Sequence, residues 1–179
     1  MARGNQYRTP VTAKDPARQY QGAVNHAQGK RFEDYIEQSL AYCEQRGMGT
    51  VEKTPEPMRP TKRLDGGKFI AFYEKQAQPD YKGTLKGGRS VVFEAKHTTD
   101  ERIDQNRVTQ EQGSRLDKHA SMGAECFVVV GFSMSDFFKV PWEVWRDMKN
   151  HFGRKYATIE ELEPYRVATG KMGYLLILD

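Results

Sequence analysis

The stretch Pro79-Asp-Tyr-Lys-Gly-Thr-Leu-Lys-Gly-Gly-Arg-Ser-Val-Val-Phe-Glu-Ala-Lys96 decides how this chain is read. It has the pattern of a β-hairpin. A short strand over 80–85 meets a turn at Lys86-Gly87-Gly88-Arg89. The β-forming run Ser90-Val91-Val92-Phe93 then leads into Glu94-Ala95-Lys96. Side chains alternate along a strand, so Glu94 and Lys96 project from one face. Register decides whether Asp80 joins them. A plain two-residue loop sets residue 81 opposite residue 94 and turns Asp80 away. An odd loop with a left-handed glycine shifts the pairing by one, which puts Asp80 opposite Lys96 on the face of Glu94. Two carboxylates and a lysine converging at a sheet end suit a divalent-metal hydrolase.

Upstream, Phe32, Ile36, Leu40 and Cys43 recur at helical spacing, which predicts an amphipathic helix from Gln28 to Arg46, with Asn25 as a cap and Gly47 and Gly49 as the stop. Glu33 follows Phe32 and lies at the border of the buried stripe. After a short strand at Thr50-Val51, Pro55, Pro57 and Pro60 exclude helix and central strand, so the segment is an extended excursion from the sheet. It carries Lys53, Arg59, Lys62, Arg63 and Lys68. Residues 68–75 read as a strand of their own.

Downstream, 97–104 is polar and reads as loop, and 105–122 as a helix with a thin apolar face. Gln112 lies one turn before Leu116 and points toward the sheet. Glu125 to Phe132 is a fully buried strand, Phe137 to Val140 a shorter one, Pro141 opens a helix, and Gly173 to Leu178 reads as a last strand. The order predicts an α/β fold, a mixed β-sheet flanked by helices.

The chain has 179 residues, 37% hydrophobic and 29% charged, which suits a single domain. It has no apolar run of membrane-spanning length and a polar N-terminus without a secretion signal, so a cytoplasmic protein with no membrane partner is expected. Cys43 and Cys126 fall in apolar segments and are expected as reduced core thiols. The net charge of +4 is mild support for a polyanionic partner. Residues 1–24 carry Arg3, Arg8, Lys14 and Arg18 against Asp15 alone and are expected to form a flexible basic arm, leaving 25–179 as one domain.

Phosphodiester hydrolysis needs an activated water and relief of charge on the phosphate, both of which carboxylate-held divalent metals supply. Magnesium accepts one or two protein carboxylates and keeps its other positions for water and phosphate oxygen. Asp80 and Glu94 suit that role, and Lys96 would set a positive charge or proton donor beside the phosphate. Taken alone, Pro-Asp, a spacer and Glu-x-Lys meet by chance in many chains.

The company they keep adds specificity. Gly29-Lys-Arg-Phe-Glu33, Lys53-Thr-Pro-Glu-Pro57, Pro79-Asp-Tyr-Lys-Gly83, Phe93-Glu-Ala-Lys96, Gln105-Asn106, Gln112 with Leu116, Cys126-Phe127 and the closing Tyr174 to Asp179 together resemble the PD-(D/E)xK nuclease superfamily. The closer resemblance is to the RecU family of Holliday junction resolvases. It implies a restriction-endonuclease-like core with a protruding Pro-rich stalk at about 53–67. The implied activity is that of a homodimeric endonuclease that cuts four-way junction DNA with Mg2+, for which Mn2+ can substitute. In such a family Asp80, Glu94 and Gln112 belong to the metal site, Lys96 stabilises the transition state, and Glu33 is the first-helix carboxylate at its edge. Lys53, Arg59, Lys62, Arg63, Lys82 and Arg89 are the candidate DNA contacts. Two departures stand out: Gln78-Pro79 replaces the hydroxyl residues expected before Asp80, and the stalk is short, as in a phage-encoded member. The alternatives are a PD-(D/E)xK nuclease without junction specificity, a non-catalytic DNA-binding recombination accessory protein, and a small basic structural protein.

Overall fold

A computed structural model of the chain describes residues 16–55, 57–73 and 78–179. Its central layer is a five-stranded sheet built from β1 (Gly49–Lys53), β4 (Tyr81–Leu85), β5 (Ser90–Thr98), β7 (Glu125–Phe132) and β8 (Asp136–Pro141), in the order β1-β4-β5-β7-β8. Only the β5–β7 pair is parallel; the other neighbours are antiparallel. The expected mixed sheet flanked by helices is therefore present.

One face is covered by α1 (Pro16–Gln45), whose Phe32, Ile36, Leu40 and Cys43 are buried against Val91, Phe93, Phe127 and Val129. Tyr81, Phe93 and Phe127 stack in a row across three strands of that face, with centroids 4.7 and 4.8 Å apart. Gly131 lets α1 seat: a Cβ there would lie 2.6 Å from the Phe32 ring. The other face is covered by α2 (Gln110–Ser121), whose Leu116 packs with Val92 and Val128. The short helices α3 (Trp142–Arg146), α4 (Met148–Phe152) and α5 (Ile159–Leu162) complete that side. Cys43 and Cys126 are free and buried, as expected of core thiols. Among the described residues no helix is long and apolar enough to cross a membrane.

The structure corrects several expectations. The first helix starts at Pro16, so Asn25 lies inside it, and 16–24 is helix where a flexible arm was expected. Residues 16–27 include three Ala, two Gln and Arg18, which favour helix, while Tyr20 is exposed there, so no buried stripe announces the segment. Residues 1–15 of the expected arm lie outside the described residues. The segment expected as a protruding stalk forms a separate hairpin of β2 (Met58–Arg63) and β3 (Phe69–Tyr73), with a register shift between Pro60 and Lys62. It reaches beyond the expected 53–67 because 69–73 pairs with β2 rather than joining the main sheet. Residues 74–75 of the expected strand lie outside the described residues.

The expected loop at 97–104 instead holds the end of β5 and β6 (Arg102–Asp104), which pairs with β9 (Tyr156–Thr158). Residues 105–107 form a 3-10 turn ahead of α2 rather than its first turn. The closing segment is not a strand: Gly173 takes a positive φ and 175 makes only an isolated bridge with 169. Leu175, Ile177 and Leu178 are buried nonetheless.

Candidate active site

The loop joining β4 and β5 sets the site. Leu85 N–H donates to Arg89 O at 2.8 Å, and Gly88 N–H donates to Leu85 O at 2.9 Å, enclosing residues 86–88. Gly87 and Gly88 have φ of 91° and 92°, which a side chain would resist. With this odd loop Tyr81 pairs with Phe93 and Lys82 with Val92. Continuing that register brings Asp80 opposite Glu94 rather than opposite Lys96, one pair away from the expected alignment. Parity is unchanged, so Asp80, Lys82, Glu94 and Lys96 all belong to the α2 face.

Glu94 is fully buried. Its Oε2 accepts from Lys96 Nζ at 2.7 Å and from Gln112 Nε2 at 2.5 Å, while its Oε1 is buried without a partner. Burial pushes its carboxyl up to about 8, and the Asp80 charge adds to this against the opposing pull of Lys96. Asp80 is held by two donors on one oxygen: the Ala95 backbone N–H at 3.0 Å and Lys96 Nζ at 3.4 Å. Lys96 thus bridges both carboxylates.

Gln112 arrives from α2 because Thr109 starts that helix in a reciprocal capping box. The Thr109 hydroxyl accepts from Gln112 N–H at 3.2 Å, and Gln112 Oε1 accepts from Thr109 N–H at 3.1 Å. The remaining amide group faces Glu94 as a donor, so Gln112 would have to turn its amide and leave the cap to offer oxygen to a metal. Thr109-x-x-Gln112 is a capping-box pattern legible in the sequence, and it is the signal that would have placed the helix start.

Glu33 approaches from the α1 side and shares a cleft with Lys53, Thr54, Pro55, Asp80 and Tyr81. Lys53 binds Glu33 at 2.8 Å and Glu37 at 3.2 Å, and these contacts, Glu33 first, hold its ammonium above the usual lysine range. Among the candidate DNA contacts, Lys82 Nζ donates to Gln78 Oε1 at 2.8 Å beside the site. Arg59, Lys62 and Arg63 are exposed on the stalk, among exposed Met58, Phe69, Ile70 and Phe72. Arg89 is not brought to the site: it sits at the turn end of the hairpin, paired with Glu125.

Among the described residues no three His, Cys, Asp or Glu side chains cluster as a metal cage. Two carboxylates, one with a buried, unpartnered oxygen, are nonetheless what a hard hydrated cation such as Mg2+ needs from a protein.

The family model RecU, described as recombination protein U, matches residues 27–178. A Streptococcus sanguinis (strain SK36) protein named Holliday junction resolvase RecU is 30% identical over 119 residues, 63% of this chain and 59% of that protein. A Geobacillus kaustophilus (strain HTA426) protein of the same name is 26% identical over 140 residues, 73% of this chain and 66% of that protein. The chain therefore spans less than two thirds of the length of either curated relative. A solved structure of Archaeoglobus fulgidus Hjc, described as a Holliday junction resolvase from an archaeal hyperthermophile, superposes with a TM-score of 0.41. It is 16% identical over 65% of this chain and 75% of that one.

Proposed function

This chain belongs to the RecU (recombination protein U) family, and on that premise we propose that it is a metal-dependent endonuclease that resolves four-way junction DNA. The observation that carries the reading is the buried Glu94, one oxygen without a partner, sharing a sheet face with Asp80 and Lys96. A buried carboxyl oxygen without a protein partner, beside a second carboxylate and a lysine, is a group that a bound cation can complete.

Asp80 and Glu94 are the residues that would hold the cation, Mg2+ by preference and Mn2+ in its place. Bound there, it would supply a water of lowered pKa and Lewis-acid relief of phosphate charge. The chain's own side chains do the rest. Lys96, fixed between both carboxylates, presents a positive charge where the phosphoryl oxygens gain charge in the transition state. Ala95 N–H orients the Asp80 carboxylate, and Gln112 holds Glu94 from the opposite side. Glu33 lies at the edge of the cleft, where it can orient a water. The stalk offers exposed apolar and basic side chains to the unstacked centre of a junction, and a homodimer would bring two such sites to opposing strands.

The test is cleavage of an immobile four-way junction and a linear duplex in Mg2+, Mn2+ and EDTA. Wild type should cut the junction symmetrically and only with metal, and Asp80→Asn should bind without cutting. Equal cutting of both substrates would favour a nuclease without junction specificity, and binding without cutting by the wild type would favour an accessory protein.

A further inference from the structure

Beyond the catalytic group, the α2 face carries a second set of basic side chains, with Glu52 of β1 as the cross-strand neighbour of Lys82. Lys82 follows Asp80 by two residues on the same face and pairs across β5 with Val92, against which Leu116 of α2 packs. Arg115 and His119 lie three and seven residues after Gln112, so they share its flank of the helix. The Gln112 to Glu94 hydrogen bond pins that flank over the site. Lys82, Arg115 and His119 therefore lie on the α2 face beside Asp80 and Glu94, with His119 one turn further along α2 than Arg115.

The charges in this strip crowd one another. Burial, then the cations of Lys82 and Arg115, hold the His119 imidazole below its ordinary value. Some basic side chains are matched with acids, as Lys53 is with Glu33, Lys139 with Glu125, Arg146 with Asp117 and Arg154 with Glu161. Among the described residues Arg115 has no acidic partner, and Lys82 is bonded only to the neutral amide of Gln78. Like charges held close together favour an anion that spans them.

We infer that Lys82, Arg115 and His119 form a phosphate-binding track for the nucleic-acid strand leading into the cleavage site. This rests on the nuclease reading and extends it to two residues, Arg115 and His119, outside the candidate DNA contacts of the sequence. Seven helical residues advance about 10 Å, which matches roughly three nucleotide steps of B-form duplex. Such contacts position a strand without reading its bases.

The experiment measures the affinity of the full chain for a fluorescent four-way junction and a linear duplex in EDTA, from low to moderate salt. Arg115→Ala should weaken binding several-fold and reduce the slope of log K against log salt by about 1, and Lys82→Ala with Arg115→Ala by about 2. Lys171→Ala removes an exposed charge from the turn at 170–173, which packs beside Tyr42 of α1, and serves as the charge control. An unchanged slope in the Arg115 variants, or an equal change in the Lys171 variant, overturns the track. So does an altered oligomeric state with the slope intact, which would mark the strip as a subunit contact. Far-UV circular dichroism and thermal unfolding establish that each variant is folded. Because the slope is read without metal and on both substrates, a protein that binds but does not cut would refute the nuclease reading while leaving the track standing.

Discussion

Gln112 holds two structures together through one amide: its Oε1 accepts the Thr109 N–H that caps α2, and its Nε2 donates to Glu94 at 2.5 Å. The two roles separate by substitution. Gln112→Ala loses both while keeping the Thr109 hydroxyl on the backbone N–H of residue 112, and the lost Thr109 N–H bond alone costs about 1 kcal/mol, a fall of roughly 2–4 °C in Tm for a chain of this size. Gln112→Glu keeps a residue able to close the capping box but sets a third carboxylate beside Glu94. It should melt near wild type in metal-containing buffer while requiring a different metal concentration for cleavage. Calorimetry together with a metal titration of activity checks both.

Glu94 links stability to pH. Its carboxyl is pushed up to about 8 from an ordinary value of 4.5, so between those limits the native state binds a proton that the unfolded chain has released. The contribution of Glu94 is therefore fully present below pH 4.5 and is lost as pH rises toward 8. Metal-free wild type should lose part of its denaturation free energy over that interval, and Glu94→Gln should remove that portion of the slope. Mg2+ or Mn2+ added at pH 8 should restore stability to wild type but not to Glu94→Gln. Urea denaturation at stepped pH reads all of this, and identical slopes in the two proteins would refute it.

How much of this site was legible beforehand depended on what each residue type can report. Asp80, Glu94 and Lys96 could be paired because strand alternation and an odd loop leave one arrangement of faces. Which three residues close the loop was not legible, since Lys86, Gly87, Gly88 and Arg89 offer two choices; hydrogen bonding at Leu85 selects 86–88. That choice moves Asp80 from opposite Lys96 to opposite Glu94. Phe69 to Tyr73 reads like a core strand, because composition cannot say what covers it; Phe72 is 65% exposed on the stalk. Residues 16–24 escaped notice for the converse reason, being helical without an apolar stripe. The strands β6 and β9 are three residues each, too short for alternation to announce.

Lys53 was grouped with the DNA contacts, yet it lies between Glu33 and Glu37 at the border of the cleft. The three side chains are 42–46% exposed, so Lys53→Ala should change stability by less than about 1 kcal/mol. The same change frees Glu33 and removes a cation from beside Asp80, which should lower the metal concentration that gives half-maximal cleavage. A metal requirement unchanged from wild type would show that Glu33 does not act on the site.

Gly131 tests whether the placement of α1 matters to chemistry. A Cβ at this position would lie 2.6 and 2.9 Å from ring carbons of Phe32, so Gly131→Ala must displace that ring or the helix that carries it. Overpacking of this kind costs about 1–3 kcal/mol. Glu33 is the next residue along α1, so displacement of the helix moves the edge of the cleft while leaving Asp80, Glu94 and Lys96 on the sheet. Gly131→Ala should therefore unfold at lower urea and cleave more slowly, yet bind metal as wild type does. Phe32→Leu in the same chain relieves the clash at the expense of ring packing and should recover part of both losses. If cleavage falls without any recovery in the double variant, the defect arises elsewhere in the sheet, and the link from Phe32 to Glu33 is wrong.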